Sequence, residues 1–187
     1  ARRTGLKLMH GLSAEGIGLA ESLAAWALDR GLVITGPAAG AGSVAARLVA
    51  RYRKALCLSN DERDRVIGVL ETLAALEEHW DDAGVARQKR IVGGGSTFWS
   101  ALALLGAREP VREAAVRRRV EELNASPGGI APEPFVDGDD LIEEGLKPGP
   151  RFKVLLERVY DAQLEGRVRN KAEAIAAARE LERGQGV

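Results

Sequence analysis

Apolar residues recur every three or four positions along almost the whole chain, the spacing that places them on one face of an α-helix. The pattern predicts helices over residues 14–30, 42–56, 59–76, 82–92, 96–106 and 110–123. It predicts further helices toward the C-terminus, opening near Asp137, Pro150 and Asn170. The only strand-like run is GLVITG, residues 31–36. We therefore predict an all-α fold.

Residues at the predicted helix ends support these boundaries. Ser59 is followed three positions later by Glu62, the spacing of a capping box. Asp137 and Asp140 have the same spacing at the start of a later helix. Gly145 and Gly166 are each placed to end a helix, because glycine adopts the left-handed conformation of a helix C-terminus without a steric penalty.

The composition changes once along the chain. The segment NASPGGIAPEP, residues 124–134, holds three of the seven prolines and two glycines. Such a stretch is typical of a linker or a long loop. We predict a helical bundle over residues 1–124, a linker over 125–134 and a smaller helical tail domain over 135–187.

Charge and cysteine content limit the possible functions. The 27 basic and 27 acidic residues give zero formal net charge, which argues against a polyanion-binding surface over the whole protein but allows local basic patches. Cys57 is the only cysteine, and its apolar neighbours predict a buried thiol. No apolar run approaches the ~20 residues of a membrane span. No secretory signal is visible, so we expect a cytoplasmic location. The chain begins with Ala1: either an initiator Met was removed or the chain is the downstream part of a longer protein.

Features that resemble catalytic or metal sites have simpler explanations. The glycine-rich loop over residues 36–43 lacks the lysine of a phosphate-binding P-loop. His10 and His79 are the only histidines, too few for a two-metal centre. The carboxylates of residues 137–140 fit a helix cap, where acidic residues are favoured. We predict no catalytic residue and no metal site.

Basic residues form clusters on several predicted helices. One helical face carries Arg47, Arg51 and Lys54, and a later helix carries Arg87, Lys89 and Arg90. A third group, on the helix over residues 110–123, consists of Arg112, Arg117, Arg118 and Arg119. Each cluster alone is consistent with a solvated surface, but together the clusters can follow a nucleic-acid backbone by binding its phosphates.

The segment GLKPGPRF, residues 145–152, contains a further candidate site. Lys147, Arg151 and Lys153 surround the predicted start of a helix, where free backbone amides favour an anion. Gly149 allows the backbone to approach a ligand closely. We interpret the segment as a binding site for a nucleic-acid phosphate, with a stiff corner between helices as the equal alternative.

Residues 138–166 contain glycines, prolines and other residues at a characteristic spacing: Gly138, Asp140, Leu141, Gly145, Pro148, Gly149, Pro150, Ala162, Leu164 and Gly166. With this pattern the segment resembles the C-terminal part of bacterial tRNA nucleotidyltransferases (CCA-adding enzymes) and the related poly(A) polymerases. LCLSNDERDRV and, more weakly, RQKRIVGGGSTFWSALALLGA are similar to helices upstream in the family. The resemblance covers roughly residues 55–185.

The resemblance implies the helical body and tail that hold the acceptor and T arms of tRNA. The family's catalytic head, a strand–helix unit that opens with Gly-Ser and carries a D-x-D pair for magnesium, is not recognisable here. We therefore expect a tRNA- or RNA-binding chain without a cofactor of its own, with magnesium and NTP held by a head in the same or another polypeptide. Two alternatives stay open: a helical scaffold without RNA affinity, and an enzyme that acts through the 36–43 loop.

Overall fold

A computed structural model of the chain describes residues 18–29, 44–146, 149 and 151–184. These residues form nine helices and no strand, which confirms the all-α prediction, and the predicted strand over residues 31–36 lies outside them. The helices are α1 Leu19–Asp29, α2 Val44–Leu56, α3 Asn60–Glu78, α4 Val85–Val92, α5 Ser96–Arg108, α6 Pro110–Ala125, α7 Gly138–Glu143, α8 Phe152–Leu164 and α9 Lys171–Gly184. No helix in the described part combines the length and apolar character needed to cross a bilayer.

The chain divides into two compact units. The first comprises Ala1–Ala83 and Ile91–Val120, as far as these are described, and the second comprises Gly84–Arg90 and Glu121–Val187. This division falls four residues before the predicted boundary after residue 124. The first six residues of α4 belong to the C-terminal unit, which the sequence pattern did not indicate.

The first unit is organised around α3, which packs against α1, α2 and α5. Its apolar residues at helical spacing, among them Val69, Leu70 and Leu73, are fully buried. Phe98 and Leu102 of α5 are equally buried. The 3.6-residue period thus gives α3 one continuous apolar face against its neighbours.

The predicted capping box at the start of α3 is confirmed. The Ser59 hydroxyl accepts a hydrogen bond from the Glu62 amide at 3.2 Å, and the Ser59 amide donates to Glu62 Oε2 at 2.8 Å. These bonds satisfy two backbone donors that the helix cannot satisfy internally. The hydrogen bonds from Ser59 also lower the pKa of the Glu62 carboxyl.

Cys57 differs from its prediction. It lies exposed directly after α2, with a φ of 51°. Because α2 ends at Leu56 and the backbone then turns through the left-handed region, Cys57 does not continue the apolar face of that helix. The prediction of a buried thiol is therefore wrong.

The second unit has its own apolar core, in which α8 packs against α9. The core residues are Val136, Leu141, Leu146, Leu155, Val159, Ala162, Val168, Ala174 and Ala178. The predicted stops are confirmed: Gly145 and Gly166 follow α7 and α8 with φ values of 86° and 75°. The left-handed conformation ends each helix at a residue that carries no Cβ.

The proline-rich loop before α7 is held against α8 by hydrogen bonds. Tyr160 donates its hydroxyl to the Pro132 carbonyl at 2.9 Å. The Gln163 side chain donates to the Glu133 carbonyl at 2.7 Å and accepts from the Phe135 amide at 3.0 Å. Gln163 is only 7% exposed, so a buried side chain makes both of these bonds to the loop.

We expect Gln163→Ala to lower the free energy of unfolding by about 1–3 kcal/mol, because it removes the two hydrogen bonds by which this side chain holds the loop, each worth about 0.5–1.5 kcal/mol. Urea denaturation measures this loss. The control is Glu180→Ala on the exposed side of α9, which should change stability by less than about 0.5 kcal/mol. Equal effects of the two substitutions would show that the loop is not held by Gln163.

Candidate nucleic-acid interface

Helix α2 presents a basic face opposite its buried face. Ala45 and Val49 are buried, whereas Arg47 and Arg51 are exposed. Lys54 follows at the next helical spacing, but its side chain lies outside the described part. The helix sequence VAARLVARYRKAL contains four basic residues and no acidic one, so nothing within α2 offsets this charge.

The two arginines of this face differ from most others in the first unit. Among the described residues, neither Arg47 nor Arg51 forms an ion pair with a carboxylate. By contrast, Arg112 lies 2.9 Å from Asp81, and Arg108 pairs with Glu77. An exposed arginine without a carboxylate partner keeps its full charge for an incoming anion. The α2 face is thus the strongest described candidate for a phosphate-binding surface.

The second predicted cluster, on α4, is not one continuous basic surface. Arg87 is exposed and forms no ion pair with a described carboxylate. Arg90 Nε lies 2.6 Å from Asp161 Oδ1, and its guanidinium also contacts the Glu157 carbonyl at 3.1 Å and the Tyr160 ring at 5.4 Å. Arg90 thus joins α4 to α8 within the second unit.

Lys89 occupies a buried position. It is 2% exposed, and burial lowers the pKa of its ammonium group. A side chain with so little accessible surface cannot contact an RNA backbone in this conformation, so Lys89 is left out of the surface proposed below. The sequence contained a signal for this: Lys89 is three positions from Ala86 and from Val92, which are both buried on α4.

The predicted helix-start site is described in part. Lys147 lies outside the described residues, as do Pro148 and Pro150. Gly149 is exposed and accepts a hydrogen bond from the Phe152 amide at 2.9 Å. Arg151 is exposed at the N-cap of α8, and no side chain caps this helix. The Lys153 side chain is 86% exposed, 3.9 Å from Glu157. Two accessible cations therefore flank an uncapped helix start.

The acidic cluster after the loop forms a helix cap, as predicted. The Asp140 amide donates to Asp137 Oδ1 at 2.9 Å, and the Asp137 amide donates to Asp140 Oδ2 at 3.1 Å. Asp140 also pairs with Lys171, whose hydrogen bond is the main cause that lowers the pKa of the Asp140 carboxyl. No group of three or more His, Cys, Asp and Glu side chains in the described part is placed to hold a metal.

Of the two histidines, the structure describes His79. The His79 amide donates to the Ala75 carbonyl at 3.1 Å at the end of α3. His10 and the loop over residues 36–43 lie outside the described residues.

One buried polar contact had no counterpart in the sequence predictions. Glu21 of α1 is 7% exposed, accepts a hydrogen bond from the Ser100 hydroxyl and lies 3.5 Å from Arg65. Burial alone would raise the pKa of this carboxyl, but the hydrogen bonds and the charge of Arg65 outweigh it and lower the pKa. The network joins α1, α3 and α5. The sequence feature that could have indicated the burial of Glu21 is its helical spacing from Ala24 and Ala25, which are both buried.

Comparison with known proteins places most of this structure in one family. Residues 44–178 match the family described as tRNA nucleotidyltransferase domain 2. A 60-residue segment is 38% identical to the CC-adding tRNA nucleotidyltransferase of Synechocystis sp. (strain ATCC 27184 / PCC 6803 / Kazusa). That match spans 32% of this chain and 14% of the curated relative. No solved structure matches the chain.

Proposed function

Because the chain belongs to the tRNA nucleotidyltransferase domain 2 family, we propose that its helices bind tRNA and position it for nucleotide addition. The curated relative is a CC-adding tRNA nucleotidyltransferase, which favours tRNA over the poly(A) substrates that the sequence resemblance left open. A tRNA partner is also consistent with the expected cytoplasmic location.

The α2 face is the observation that carries this proposal. It lies within the family match and exposes Arg47 and Arg51 on a helix without acidic residues. Arginine binds phosphate with a planar fork of donors, so such a face suits a nucleic-acid backbone. Contacts of this kind hold an RNA in place without reading its sequence.

The second unit carries two further sets of exposed cations, which we propose also bind RNA phosphates. Arg87 of α4 is exposed, and Arg151 and Lys153 are exposed at the start of α8. Lys147 remains part of the proposal on sequence grounds alone. We assign the chemistry of nucleotide addition to a catalytic head that supplies magnesium and NTP, either in the same polypeptide or in another chain.

A fluorescence-anisotropy titration with full-length tRNA between about 50 and about 200 mM salt tests the proposal. If about four phosphates are contacted, log Kd should change with log salt with a slope of magnitude about 3. Failure to bind at the lower salt concentration would contradict the proposal.

The rival function is a helical scaffold without RNA affinity. The zero net charge and the ion-paired arginines of α5 and α6 favour it. The titration separates the two functions, because a scaffold gives no salt-dependent binding at any concentration in that range.

A further inference from the structure

Trp99 of α5 is 46% exposed, whereas Trp80 is 3% exposed. Its ring is nonetheless held in place: it packs edge-on against the buried Phe98, with ring centroids 5.1 Å apart and an interplanar angle of 75°. An exposed indole supported in this way has little freedom to reorient, so binding a flat ligand would need little further ordering.

A guanidinium lies against the same ring. The Arg117 Cζ atom of α6 is 5.7 Å from the centroid of the Trp99 ring. Glu113, one turn earlier, accepts a hydrogen bond from Arg117 Nε at 2.9 Å and a second from its terminal nitrogen at 2.5 Å. These two bonds fix the orientation of the guanidinium plane.

The position of Glu113 is in turn set by contact with α5. A Cβ atom added at Gly106 would lie 3.0 Å from Glu113 Cγ, so the absence of a side chain at residue 106 leaves room for Glu113. Trp99, Arg117, Glu113 and Gly106 therefore form one connected arrangement on α5 and α6, all within the first unit.

We propose that Trp99 and Arg117 form a stacking surface for an unpaired base of the bound RNA. Proteins recognise unpaired bases by stacking them on aromatic rings and on guanidinium planes. This inference rests on the proposed function, because it concerns a base of the same bound RNA whose phosphates the basic residues contact.

The local charge favours a base over a phosphate. Glu113 neutralises Arg117, so the pair exerts little net attraction on a phosphate. The surroundings also disfavour a protein partner, which would need a contiguous apolar patch. The exposed residues one helical turn away from Trp99 along the chain are Gly95, Ser96 and Ala103, which are all small. They form no such patch and leave access to the ring.

The experiment compares Trp99→Ala and Trp99→Phe with the unchanged chain, using tRNA and a blunt RNA duplex without unpaired bases. We expect Trp99→Ala to weaken tRNA binding between about 5-fold and about 150-fold, the range measured for loss of one base–aromatic stack. Trp99→Phe should retain most of the affinity because it keeps an aromatic face. The salt slope should not change, since no phosphate contact is lost.

The duplex serves as the control for folding and for backbone contacts. We expect all three proteins to bind it equally, which would show that the Trp99→Ala chain is folded. Tryptophan emission gives a second readout: tRNA should quench it in the unchanged chain and much less in the Trp99→Phe chain, although that chain still binds.

Two results would overturn the stacking proposal while leaving RNA binding intact. One is an unchanged tRNA affinity in Trp99→Ala, and the other is an equal loss of affinity for tRNA and for the duplex. If the unchanged chain binds neither RNA, the proposed function fails and the stacking surface fails with it.

Discussion

Replacing both Arg47 and Arg51 by alanine is expected to weaken tRNA binding by about tenfold or more near 100 mM salt. Each arginine that contacts a phosphate releases a counterion on binding, so removing both should reduce the log–log salt slope by about two. The effect should be similar for tRNAs of different sequence, because backbone contacts carry no base information. Anisotropy titrations at several salt concentrations measure both quantities.

The matched control removes the same amount of charge from arginines that already have carboxylate partners. Arg63 lies 2.7 Å from Asp64, and Arg167 lies 2.5 Å from Glu165. Their double replacement by alanine should change affinity by less than about threefold, since only the net charge is altered. Equal losses in the two double variants would mean that the α2 face is not a contact surface and that overall charge alone governs binding.

Phe98→Ala is expected to lower the free energy of unfolding by about 3–5 kcal/mol, the range for removing a buried phenyl ring. Phe98 is fully buried, with its ring centroid 5.1 Å from that of Trp99 and 6.4 Å from that of Trp80. The substitution removes both aromatic contacts and leaves a cavity beneath the exposed indole. Urea denaturation, followed by tryptophan emission, measures the loss.

Val111→Ala is the control for this core substitution. Val111 is 86% exposed, so shortening its side chain should change stability by less than about 0.5 kcal/mol. A loss below about 1 kcal/mol for Phe98→Ala would contradict the packing described for the first unit.

Helix boundaries were predictable from the sequence because capping is local. Ser59 and Glu62 are three positions apart, as are Asp137 and Asp140, and each pair closes its hydrogen bonds without help from distant residues. The stops at Gly145 and Gly166 were equally local, since a positive φ favours glycine wherever it occurs.

Whether a basic residue is exposed and free of a carboxylate partner was not predictable in the same way. For some arginines, availability depends on carboxylates that are distant in sequence: Arg90 meets Asp161, 71 positions later, and Arg112 meets Asp81. Helical periodicity shows that residues share a face but not which other helix covers that face. For the same reason the sequence did not indicate the contact of Glu21 with Ser100, or that of Arg117 with Trp99.

The measurement that most directly tests whether the chain positions the 3′ end of tRNA compares the two halves of a tRNA at one salt concentration. An acceptor–T arm minihelix and an anticodon arm of equal length are titrated against the unchanged chain. If the helices position the 3′ end of tRNA, the minihelix should bind within about threefold of full-length tRNA and the anticodon arm at least about tenfold more weakly. Equal binding of the two arms would contradict the account, because attraction to any phosphate backbone would then explain all of the affinity.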